Sequence, residues 1–132
     1  MHNKPSKLLQ AFESNTISPG EFGHEQHLRV AHELLQGCDY LEAAQRFSGA
    51  ARALADSAGV PEKFNVTVTL AFLSLVAERM HRAPQASADD FLRGNADLLA
   101  KDALGAWYSS SELTSDFART HLLLPRSPQP NA

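Results

Sequence analysis

The stretch Val66-Thr67-Val68-Thr69-Leu70-Ala71-Phe72-Leu73-Ser74-Leu75-Val76-Ala77 decides the fold. Its first four residues are β-branched and its first five alternate apolar with polar, the pattern of a half-buried strand. Length argues the other way. Val66, Leu70, Leu73, Ala77 and Met80 continue one stripe at helical spacing for about four turns. Val68, Phe72, Leu75 and Val76 widen that stripe beyond a surface helix, so the spacing predicts a central apolar helix over 62–82. Its strongly apolar part, 70–77, is far short of the roughly 20 residues a membrane span needs.

Outward from this helix, start signals recur along the chain. Ser6 caps a short helix burying Leu8, Leu9 and Phe12, and Ser18, Pro19 and Glu21 fit the opening of a turn. A helix over 24–36 follows, with Gly37 placed to end it in the left-handed conformation. Asp39 and Glu42 open an alanine-rich helix that Gly59 and Pro61 stop. Ser87 with Asp90 opens another, and Gly94-Asn95 restarts the chain into 96–106. Ser109 with Glu112 and then Ser115 cap the last two segments. The prediction is an all-α, single-domain bundle of about five to seven helices over residues 1–124. Residues 125–132, with three prolines, read as a disordered tail.

Composition limits the functional classes. The 132 residues are 43% hydrophobic and 20% charged, with twelve Lys+Arg against fifteen Asp+Glu. That is a globular balance with a net charge of −3, and it disfavours a nucleic-acid partner. Cys38 is the single cysteine, so neither an intrachain disulfide nor a multi-thiolate zinc site can form. The N-terminus lacks the apolar run of a signal peptide, so a cytoplasmic protein without membrane attachment is expected.

On the helix over 24–36, the buried stripe contains Leu28, Ala31 and Leu35, and both His24 and His27 fall within it. His32 sits at its boundary, while Glu25 and Arg29 share the wet side as an i,i+4 pair. On the central helix, Asn65 and Thr69 enter the apolar face one turn apart, while Thr67 and Ser74 fall on the opposite, solvated or shared strip. Thr69 can instead back-bond to the carbonyl of residue 65. His24, His27, Asn65 and Thr69 are expected to look into one interior space, with His24 and His27 as candidate acid/base or metal-ligating residues. Tyr108 is a candidate pocket donor, beside a candidate anion seat at the N–H groups of 109–112.

Phe22-Gly23-His24-Glu25-Gln26-His27-Leu28-Arg29-Val30-Ala31 resembles the opening motif of a family of small, largely uncharacterised bacterial proteins: an aromatic, a small polar residue, His-x-x-His, an apolar residue, Arg, Val and Ala. Residues 63–69 match that family's Lys-Tyr-His-Glu-Thr-x-Thr block in part. Residues 108–119 resemble its Tyr-Ser-Arg-Glu-x-Leu-x-Ser-x-x-Ala-Arg block with one extra serine. The resemblance implies a helical domain and carries over no reaction. Where the pattern has adjacent His and Glu, this chain has Asn65 and Val66, which removes two donors from any site built on three histidines and a carboxylate.

These residues define three expectations and name no cofactor. The first is a small-molecule-binding helical protein with a partly polar interior pocket and candidate histidine acid/base chemistry, its catalytic status undecided. The second is a non-catalytic interaction module, such as a homodimer, packing through Phe47 and the alanine-rich helix. The third is a degenerate metal-binding protein.

Overall fold

A computed structural model of the chain describes residues 5–125; residues 126–132 of the proline-rich tail lie outside them. Among the described residues there are seven α-helices, three short 3-10 turns and no strand. The helices are α1 (Lys7–Glu13), α2 (His24–Gly37), α3 (Tyr40–Ser57), α4 (Val66–Arg82), α5 (Ala88–Gly94), α6 (Ser110–Leu113) and α7 (Asp116–Thr120). The chain is an all-α single domain.

Local chemistry sets the helix starts. Ser6, Asp39, Asn65, Ser87, Ser109 and Ser115 each cap a helix by accepting a backbone N–H three residues on. Ser109 and Glu112 complete a reciprocal capping box.

Three boundaries differ from the expected ones. The central helix begins at Val66, because Pro61–Lys63 is a 3-10 turn and Asn65 is the cap. Gly37 is the last helical residue of α2 rather than its left-handed stop. The left-handed glycine is Gly59, at φ 75°, just after α3. The predicted helix over 96–106 is only a 3-10 turn, Ala96–Leu99, followed by irregular turns.

α4 packs against α2, α3 and α7 and buries residues around most of its circumference, including Thr67, Phe72, Leu73, Leu75 and Val76. That wide burial is what its broad apolar stripe demands. The core closes around Phe12, Phe47, Phe91, Leu28 and Leu98. Phe47 therefore belongs to the interior and offers nothing to a second subunit.

Arginines tie the shell together. Arg46 holds Glu13 of α1 at 2.7 Å, Arg29 reaches Asp89 of α5 at 2.8 Å, and Arg79 fixes Asp97 at 2.7 Å. No helix among the described residues is long and apolar enough to cross a membrane.

Candidate functional site

The site exists because α3 is short of side-chain volume on one face. Ala51, Ala55 and Ala58 follow at four and three residues, so they stack on one side of the helix. Opposite them stand Val68, Thr69 and Phe72 of α4, and the irregular stretch 100–105 forms a third wall. Phe22, His24 and His27, at the start of α2, close the end. The space between is a cavity of about 890 Å³, within the range of small-molecule sites. Closed and dry, that volume would cost about 20 kcal/mol. This exceeds the net stability of a domain, about 5–15 kcal/mol. The space is therefore open, and exposed Gly20, Lys63 and Lys101 stand at its mouth.

His27 is the most constrained polar group in the wall. Its ring meets Phe22 edge-on at 4.4 Å and Phe47 at 6.1 Å, within an aromatic cluster that continues to Phe12. Nδ1 lies 2.9 Å from the Gly23 carbonyl. A carbonyl only accepts, so Nδ1 carries the proton and Nε2 keeps its lone pair. Burial pushes the imidazole below the ordinary histidine value; the Gly23 bond opposes that shift and neighbouring His24 adds to it. At neutral pH His27 is thus a neutral acceptor with a fixed tautomer. A proton delivered to Nε2 would leave an imidazolium anchored through Nδ1–H to Gly23.

Thr69 faces the same cavity, and its hydroxyl makes no hydrogen bond among the described residues. The back-bond to residue 65 does not form; only the Thr69 amide reaches that carbonyl, at 3.0 Å. Thr69 therefore keeps both a donor and an acceptor for a ligand.

Two other expected ligand contacts carry structural duties instead. Asn65 walls the cavity, but its Oδ1 accepts from Val68 N at 2.9 Å and its Nδ2 donates to Leu113 O at 2.7 Å. Tyr108 is buried and lines the cavity, yet its hydroxyl donates to Leu123 O at 2.8 Å rather than into the space. Burial raises the phenol's pKa, so it stays protonated.

Further corrections concern direction. Thr67, on a strip expected to be solvated or shared, is fully buried: its hydroxyl donates to His121 O at 2.7 Å and accepts from Leu123 N at 2.9 Å. His32, expected at a boundary, is the least exposed histidine among the described residues, bonded to Gln85 O at 3.0 Å and packed on Phe91 at 4.8 Å. His24, expected inward, lines the mouth while remaining exposed. At the candidate anion seat over 109–112, the Ser109 and Glu112 N–H groups are spent within the capping box.

Among the described residues no three His, Cys, Asp or Glu side chains are grouped to hold a metal ion. The two imidazoles thus lack the third donor a zinc site needs. Cys38 bonds Glu42 and Arg46, and burial raises its thiol pKa.

Sequence reasoning missed the walls rather than the polar groups. Ala51, Ala55 and Ala58 read as ordinary apolar positions, although three alanines on one helix face are a legible sign of missing volume. Lys101 carried no pattern, and Lys63 entered only as the first residue of the partly matching block at 63–69. Fold and cavity together define an all-α domain with an interior space reachable from solvent. No family model, curated protein or solved structure matches this chain.

Proposed function

We propose that this protein is a cytoplasmic small-molecule-binding domain whose ligand occupies the cavity between α3 and α4. One observation carries the reading. A largely apolar space of ligand size is lined by two half-buried groups whose polar atoms stay without protein partners among the described residues, His27 Nε2 and the Thr69 hydroxyl. An apolar wall with a few unspent polar groups is the composition expected of a binding pocket. Phe47, Phe72 and Leu54 provide the apolar contact, while His27 accepts from the ligand and Thr69 bonds in either sense. His27 Nε2 is also the base candidate if the ligand presents an acidic proton. The lone Cys38, with no disulfide partner, suits a reducing compartment.

The test uses N-phenyl-1-naphthylamine, a neutral apolar fluorophore that brightens on leaving water. Expected is a saturable 1:1 enhancement, lost in Ala55→Phe and Ala58→Phe, which fill the space while helical circular dichroism is unchanged. His27→Ala should weaken the same binding and reduce the thermal stabilisation the probe confers. Fluorescence that never saturates, or that both filled variants retain, would overturn the reading.

A further inference from the structure

The charges of the shell are not distributed evenly around the molecule. Of the ten lysines and arginines among the described residues, Arg29, Arg46, Arg79, Arg82, Arg93 and Arg119 each pair with a carboxylate. Lys7, Arg52, Lys63 and Lys101 have no ion-pair partner there. Three of these four gather at the cavity. Lys63 and Lys101 line it, and Arg52 lies 4.7 Å above the ring of Phe64, itself a lining residue. Asp102 is the one carboxylate in the lining. The mouth is therefore net positive on a chain whose net charge is −3.

Depth separates the two chemistries. Lys63 and Lys101 are exposed, whereas Phe47 and Phe72 are buried at the inner wall. Cations at the entrance of an apolar space recruit a molecule with an apolar body and an anionic head, and the local field raises its concentration there. Charges left unneutralised beside this cavity contrast with the other arginines among the described residues, which are all spent on carboxylates.

Resting on the binding reading above, we infer that the ligand is an acidic amphiphile, a fatty or aromatic acid whose anionic head sits between Lys63 and Lys101 while its apolar body enters toward Phe47 and Phe72. Arg52, held on Phe64, adds to the positive field without contacting the body of the ligand.

Two probes with one skeleton separate this inference from the pocket itself. 8-Anilino-1-naphthalenesulfonate carries the same fused rings and anilino group as N-phenyl-1-naphthylamine, plus a fixed negative charge. The Lys63→Gln/Lys101→Gln variant should weaken the sulfonate probe on the order of tenfold, as expected for two exposed charge contacts. It should leave the neutral probe within about twofold, the scatter expected of a surface substitution. Asp102→Asn should tighten the sulfonate probe, and Lys7→Gln should change neither. Added salt should weaken the sulfonate probe alone, and decanoate should displace it at lower concentration than decanol. If the neutral probe binds in the cavity while the sulfonate probe is indifferent to Lys63, Lys101 and salt, the inference falls and the pocket stands. If neither probe binds saturably, both fall together.

Discussion

Replacing Thr67 by valine should damage this protein more than any other change that preserves shape on α4. The side chain is fully buried, and its single oxygen makes two bonds, donating to His121 O at 2.7 Å and accepting from Leu123 N at 2.9 Å. Valine keeps the volume and removes both. Each orphaned buried group costs about 1–3 kcal/mol. Residue 121 is exposed, so its carbonyl can reach water if the segment lifts, but lifting also sacrifices the Tyr108–Leu123 bond. The expected loss is therefore about 2–4 kcal/mol, near the lower end of the two penalties summed. For a chain of this size that lowers Tm by about 6–12 °C. Urea unfolding followed by circular dichroism measures it, with Thr67→Ser, which keeps the hydroxyl, losing much less. Tyr108→Phe releases the same segment, so its cost should shrink by at least about 0.5 kcal/mol in the Thr67→Val background. A valine variant within about 0.5 kcal/mol of the parent, no more than a typical surface change, or strict additivity with Tyr108→Phe, would refute the account of 121–125 as a strap held by α4.

Two glycines should respond in opposite senses. Gly37→Ala should stabilise by about 0.5–1 kcal/mol, because the residue is helical and nothing stands where its Cβ would go. Gly59→Ala should destabilise by about 1 kcal/mol, because φ is 75°; chemical denaturation of both settles the point, and equal signs would contradict the backbone assignment. Burial lowers the pKa of both His27 and His32, so below about pH 6.5 the unfolded chain takes up protons that the folded chain resists. Stability should hold above that pH and fall as pH drops through the depressed folded values, moving the urea midpoint down between pH 7.5 and 5.5. His27→Phe should flatten part of that slope, and an unchanged slope would show that the ring is solvated.

The candidate site was half legible in the sequence. Helical angles brought Thr69 and His27 to the cavity wall, since each is the fourth residue of its helix and already follows the helical period. They left Thr67 on a strip either solvated or shared and His32 at a boundary, and both are buried. α4 and α2 have neighbours on several sides, so more than one stripe is buried. Asn65 and Tyr108 were correctly brought to the cavity, but their hydrogen bonds go to Leu113 and Leu123, partners 48 and 15 residues away that no local pattern reveals.

From the sequence alone came the helical class and the helix starts capped by Ser6, Asp39, Ser87, Ser109 and Ser115, because a cap is a bond spanning three residues and depends on nothing farther away. Tertiary structure alone decided which glycine turns left-handed, which threonine is spent and which stays free, and where the three alanines leave a void. Those outcomes depend on what packs across from each side chain, and that is set only when distant segments meet.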